Sequence, residues 1–225
     1  MKMHKILWVF AGLAMAAGLS SCSMNSAGGG LSSYQSYDRP AKLPTDPSAV
    51  KVKVSLSKQR VYVMEGSEML LVMPVCVGMP STPTPTGNFR IFNKEHKHRA
   101  FTHGYAYSGS TVRPSYLKNK PLGWSFKGTP MPYWCEFKPA YGFHTGWVKH
   151  SPASHGCIRM HENVSPKFYR LVSNGTPVNI SYTQPEDAEH SNIPLPPDSG
   201  PLPDYPTSFY IGDDYFSRHK APKFD

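Results

Sequence analysis

The chain has 225 residues with a formal net charge of +9, and 39% of its residues are hydrophobic. That length supports one domain with a sizeable core rather than two, once terminal segments are set aside. The basic balance favours an anionic partner such as a cell wall, a lipid surface or nucleic acid, but no nucleic-acid-binding motif is present.

Lys2 and Lys5 precede an apolar or small run from Ile6 to Gly18. The run is shorter than the ~20 residues of a spanning helix and reads as a secretory signal over residues 1–21. It ends in Leu19-Ser20-Ser21-Cys22, which resembles a bacterial lipobox. That likeness implies a lipidated Cys22, a lipid-bilayer anchor and an exported protein facing the periplasm. Residues 22–48 are rich in Ser, Gly, Pro and Tyr without apolar periodicity. They are expected to be a flexible tether, with Tyr34 and Tyr37 in solvent.

Strand patterning begins at Val50. Val50, Val52, Val54 and Leu56 alternate with Lys51, Lys53 and Ser55, as in a half-buried strand. Arg60 to Glu65 and Met69 to Val77 follow as two more strands, Pro74 suggesting a bulge or an edge. Three short strands on short turns predict an antiparallel β core. Pro80 to Pro85 is a loop and Phe89 to Phe92 a strand. Lys94 to Arg99 (KEHKHR) is expected to be a solvated loop, and Gly104 to Gly128 a loop-rich stretch able to serve as a lid or an aromatic stacking surface. Tyr133 to Phe137, Tyr141 to His144, Ile158 to Met160 and Val178 to Tyr182 read as strands. A helix is predicted from Ser165, as N-cap, to Ser173. From Thr183 onward prolines are dense, so residues 184–225 are expected to be an extended tail. Whether its aromatic pairs dock on the domain or on a partner is open.

The chemistry concentrates in Ala153-Ser154-His155-Gly156-Cys157-Ile158-Arg159-Met160, with Gly142-Phe143-His144-Thr145-Gly146 upstream. A cysteine becomes a strong nucleophile only as thiolate, which needs a base or a positive charge nearby. Histidine can take the thiol proton and later return it to a leaving amine. Residues two apart on a strand lie ~6–7 Å apart along it, so an imidazole from an adjacent strand reaches a sulfur more directly than His155 would.

The segment from His144 to Met160 resembles the signature of the L,D-transpeptidase (YkuD-like) catalytic domain. Four further stretches agree in order: Val77-Gly78 with Thr84 to Ile91, Met131 to Trp134, Gly142 to His144, and Gly175 to Ile180. The likeness runs from about Val50 to Tyr182, and the domain is placed at residues 49–183. The His144-to-Ser154 gap is shorter than in many members, which leaves less loop over the site. The resemblance implies a mainly β fold, a β-sandwich with one short helix after the catalytic strand. It also implies Cys157 as nucleophile and His144 as general base and acid, oriented by the Thr145 carbonyl. Ser154, His155, Gly156, Arg159 and Tyr133 would shape the pocket, the amides of Gly156 and Cys157 are candidates for an oxyanion hole, and Arg159 would either hold a substrate carboxylate or brace the loop. The implied substrates are peptidoglycan peptide stems, acylating the sulfur with loss of D-alanine and passing to an amine. No cofactor or metal is implied, and the protein is expected to be a monomer. Water as acceptor would make an L,D-carboxypeptidase.

Two other readings compete. His144, His150, His155, Cys157 and His161 are dense enough to suggest zinc, though their spacings match no common pattern. A wall-binding lipoprotein without catalysis is the other. Cys76 and Cys135 sit in apolar strand-like runs, where two buried thiols are favoured over a disulfide.

Overall fold

The computed structural model describes residues 31–197, 210–219 and 221–225. The signal, Cys22 and the prolines between 198 and 209 lie outside the described residues. Three antiparallel strands open the domain: β1 (Val50–Ser55), β2 (Arg60–Glu65) and β3 (Glu68–Cys76). Val50, Val52 and Val54 are buried while Lys51 and Lys53 are half-exposed, as the alternation predicted. Pro74 pairs with Arg60 where β3 passes from β2 to its next partner, and the irregularity in that ladder falls at Val63/Met64 instead.

The next strands depart most from expectation. After β4 (Gly87–Arg90), β5 (Asn93–Ser108), β6 (Thr111–Tyr116) and β7 (Ser125–Lys138) form a long arm where loops were expected. The inward positions of β5 are His98, Ala100, Gly104 and Ala106, small or polar residues that give no apolar period. They are inward because the backbones pack closely: a Cβ on Gly128 of β7 would lie 1.8 Å from the Ala100 carbonyl oxygen.

The chain closes with β8 (Tyr141–Thr145), β9 (Ile158–Met160), helix α2 (Ser165–Leu171) and β10 (Pro177–Ser181). The strands run β4-β10-β1-β2-β3-β9-β8-β7-β5-β6 in one mainly β sheet. One core joins its two halves: Val54, Val63 and Met73 pack in the same cluster as Phe143, Ile158 and Phe168. Such side chains contribute about 1.5–3 kcal/mol each on burial. Ser165 lies in the first turn of α2 rather than capping it; Val164 holds the N-cap position without a side-chain bond. The Ser165 hydroxyl instead meets that of Thr145 at 2.6 Å.

The expected tether is folded from Leu31 onward. A short helix, α1 (Leu31–Ser36), carries Tyr34 into the protein, 1% exposed. Its ring lies 4.8 Å from Trp147 and 4.4 Å from His161, and its hydroxyl receives the Val148 N–H at 3.0 Å. Tyr37 and His161 also stack edge-on, and the nearly buried Lys167 ammonium pairs with Asp38 at 2.9 Å. The residues after Thr183 are likewise not simply extended. Asp187 is buried and accepts from Tyr62 and Ser55 hydroxyls at 2.7 and 2.8 Å. A last helix, α3 (Asp214–Ser217), buries Tyr215 and Phe216. In both terminal segments, aromatic and polar anchors a few residues apart replace the apolar period that sequence reading relies on.

Tyr34→Ala is expected to destabilise the fold by roughly 3–5 kcal/mol, as for other large aromatic truncations. Tyr34→Phe, which keeps the ring, should cost only about 1 kcal/mol. Urea denaturation of both variants checks this, and near-neutral values for both would mean the segment is a solvated tether after all.

Candidate active site

Strands β8 and β9 lie side by side and run parallel, with His144 in register with Arg159. Cys157, two residues before Arg159, therefore sits on the same face as His144 and diagonal to it, one strand across and two residues along, with roughly 8 Å between the two backbones. Cys157, His144 and Arg159 all line a single cavity of about 520 Å³, a size that suits a peptide-like ligand.

The turn before Cys157 is braced from three sides. Ala153 and Ser154 both donate their N–H to the Val77 carbonyl, and Met79 donates to that of Ser154. Thr84, from the Thr-Pro-Thr-Gly stretch, receives the Gly78 N–H and donates to the Gly156 carbonyl, both at 2.9 Å. The Ser154 hydroxyl receives the Gly156 N–H at 2.9 Å and donates to the Cys157 carbonyl. Gly156 has φ +114°, and a Cβ there would lie 2.6 Å from the Tyr141 ring, so the position requires glycine. Its amide, expected in the oxyanion hole, is engaged by Ser154.

The sulfur packs against Ala100, Met131 and Trp134, 3.7 Å from the Ala140 carbonyl oxygen. Burial pushes its thiol pKa up, partly offset by the Gly142 N–H and the Arg159 guanidinium. Gly142 must lack a side chain, because a Cβ would lie 2.7 Å from Trp134. His144 is pushed the opposite way, down to about 3, chiefly by burial and then by Arg159. Its Nδ1 lies 2.8 Å from the Thr145 carbonyl oxygen. A carbonyl only accepts, so Nδ1 carries the hydrogen and Nε2 keeps a free lone pair. Thiol and imidazole thus rest as a neutral pair.

The remaining expected residues divide. His155 is exposed at the cavity rim, 6.1 Å from the His103 ring. Arg159 lays its stem over Gly146, where a Cβ would meet its Cδ at 3.1 Å, and its side chain lines the cavity. Tyr133 is not among the lining residues. Its φ of +57° turns it away from the cavity to Tyr169 and His219, while its neighbour Trp134 forms the wall, stacked on His98 at 4.4 Å. The sequence reading placed Tyr133 in the pocket; the structure puts Trp134 of the same tetrapeptide on the wall instead, because the kink at Tyr133 is invisible in the pattern.

Three histidines of the suggested zinc cluster are each turned to a different backbone carbonyl: His144 to Thr145, His150 to Pro196, and His161 to Tyr34. Cys76, Cys135 and Cys157 are all free thiols, the first two buried.

Sequence reading missed two other contributors to the cavity. Tyr34 enters from the N-terminal segment, and Tyr210 and Tyr215 from the C-terminal one. The C-terminal residues dock on the domain: Arg99 donates to the carbonyls of Tyr210 and Gly212, both at 2.7 Å, and Tyr210 stacks on Tyr105. Asp213 pairs with Arg99 and Lys127, both at 3.3 Å.

The depressed His144 pKa has a consequence for stability. In the unfolded chain the imidazole binds a proton near pH 6.5; in the folded protein it stays neutral to about pH 3. Its contribution is complete above pH 6.5 and is lost as pH falls toward 3. Over that window unfolding free energy should fall by about 1.4 kcal/mol per pH unit on account of this group. Denaturant titrations at pH 7, 6, 5 and 4 should show a shallower slope for His144→Gln than for the unaltered protein.

Comparison with known protein families matches residues 49–180 to the L,D-transpeptidase catalytic domain, YkuD. A putative L,D-transpeptidase YkuD of Bacillus licheniformis is 28% identical over 158 residues, covering 68% of this chain and 79% of that protein. Among solved structures, an L,D-transpeptidase from Stackebrandtia nassauensis is 26% identical with a TM-score of 0.45, covering 64% of this chain and 60% of that one. One from Mycobacterium smegmatis is 21% identical with a TM-score of 0.46, covering 59% and 58%. The present chain thus spans about 60% of the length of these solved relatives. With the family match covering more than half its length, the chain belongs to the L,D-transpeptidase (YkuD) catalytic-domain family.

Proposed function

We propose that this protein is a peptidoglycan L,D-transpeptidase that uses Cys157 as nucleophile and His144 as general base and acid. The observation that carries the reading is the parallel register of β8 and β9, which seats both side chains in one cavity with the His144 Nε2 lone pair uncommitted.

As the sulfur attacks the carbonyl of the third residue of a tetrapeptide stem, Nε2 takes the thiol proton. The carbonyl oxygen becomes an oxyanion, received by the Cys157 amide. Collapse breaks the C–N bond, and His144 returns its proton to the departing D-alanine amine. An amine from a neighbouring stem or a protein lysine then attacks the thioester and loses a proton to His144, and the thiol is restored. Water in place of the amine yields the carboxypeptidase outcome from the same acyl-enzyme. Arg159 is placed to hold a stem carboxylate and to stabilise the thiolate as it forms. The lipobox-like ending at Cys22 supports a lipid-anchored protein of the cell envelope.

Cys157→Ala is expected to abolish crosslinking of muropeptides and to block covalent modification by a carbapenem, read by mass spectrometry of the intact protein. His144→Gln should lower turnover by roughly 10²- to 10⁴-fold. Because the resting thiol is neutral, alkylation of Cys157 by iodoacetamide should be slow at pH 7 and keep rising past pH 8.5. A plateau below pH 7 would mean a resting thiolate and a different role for His144.

A further inference from the structure

The arm formed by β5, β6 and β7 has a composition unlike the rest of the chain. Between Glu95 and Glu136 there is no Asp or Glu at all, while Lys97, Arg99, Arg113, Lys118, Lys120 and Lys127 fall within the same stretch. The arm also carries four of the large apolar side chains left exposed: Phe101, Tyr116, Leu117 and Leu122, the last completely so. Phe101 lines the catalytic cavity and belongs to that site. The other three lie at and after the end of β6, where the chain passes through a single 3-10 turn (Leu117–Asn119) on its way to β7.

This crossing segment is built to hold its shape. Trp124 carries the Arg113 guanidinium over its ring at 4.4 Å, and its carbonyl accepts from the Lys120 ammonium. The 3-10 turn closes with the Lys120 N–H on the Leu117 carbonyl at 3.2 Å. Lys118 is exposed beside the two leucines. The result is a fixed surface of Leu, Tyr and Trp beside Arg113, Lys118 and Lys120, in a stretch of sequence without Asp or Glu. Arg99 and Lys127, farther along the arm, are the two already paired with Asp213.

We propose that this surface docks on a lipid bilayer containing anionic headgroups. The cations answer the charge, each basic side chain near such a surface being worth about a fivefold gain in partitioning. The apolar side chains decide between kinds of anionic partner. An exposed leucine gains nothing from a hydrated glycan strand but is removed from water by the acyl boundary. Tyr116 and Trp124 are the residue types that sit at the headgroup level, and lysine stems reach past it to the charge. The surface is separate from Cys157 and His144 and stands whether or not Cys22 is lipidated.

Hydrogen exchange of the full chain, followed by mass spectrometry, tests this segment by segment, so an N-terminal anchor does not obscure the result. Phosphatidylethanolamine vesicles with one-quarter phosphatidylglycerol should slow exchange of residues 112–124 at least fivefold, and phosphatidylcholine vesicles should not. The exposed pair Leu117→Asp/Leu122→Asp should lose the protection while keeping carbapenem acylation of Cys157, which reports an intact fold. Lys118→Glu/Lys120→Glu should weaken protection about tenfold or more. Unchanged exchange on anionic vesicles, equal protection by neutral ones, or protection by lipid-free peptidoglycan sacculi equal to that by lipid would each overturn the proposal.

Discussion

The site depends on one pairing, the parallel contact of β8 with β9. Thirteen residues separate His144 from Cys157 along the chain, and only the register that sets His144 beside Arg159 brings them to one face. A slip of one residue would put the cysteine and the histidine on opposite faces of the sheet. The surrounding structure guards against such a slip. Gly146 donates to the Met160 carbonyl at 2.9 Å, the Cys157 turn is tied to Val77 and Met79, and Thr84 closes it from behind. The Thr-Pro-Thr-Gly stretch, a weak motif by itself, owes its place in the pattern to that brace.

The same burial that fixes the geometry sets the electrostatics. Desolvation raises the thiol and lowers the imidazole, so the charged pair is disfavoured until a substrate supplies a carbonyl on which charge can develop. Arg159 acts on both groups in one direction: it favours a negative sulfur and disfavours a positive His144. A resting neutral pair is less open to adventitious oxidation than a standing thiolate, because thiolate character governs that chemistry.

How much of this was legible in the sequence depends on how each residue is held. β1 follows apolar alternation and β3 a nearly continuous apolar run, and both were readable from the sequence. Cys157 and His144 stood out because their spacing and neighbours resemble a family signature, and the structure seats both in one cavity. The arm was not, since its inward positions are His98, Ala100, Gly104 and Ala106, fixed by close backbone approach rather than by apolar size. Trp134 was missed in favour of Tyr133 because a left-handed residue inside a strand leaves no mark on composition. The N-terminal segment was expected in solvent, and the docking of the C-terminal aromatics stayed open, for a similar reason. Tyr34, Asp187 and Tyr210 anchor their surroundings singly, and single anchors have no period.

The burial of Tyr34 also bears on the lipid anchor proposed at Cys22, whose leash it would shorten. Had residues 22–48 been free, a fully stretched chain of that length would let the domain roam roughly 90 Å from an acyl group on Cys22. With Leu31–Ser36 held against the domain, at most nine peptide units would separate it from Cys22, a span of roughly 30 Å at most. A protein held so closely would meet only the layer of wall nearest its own membrane, and strands farther out would have to be served by other enzymes.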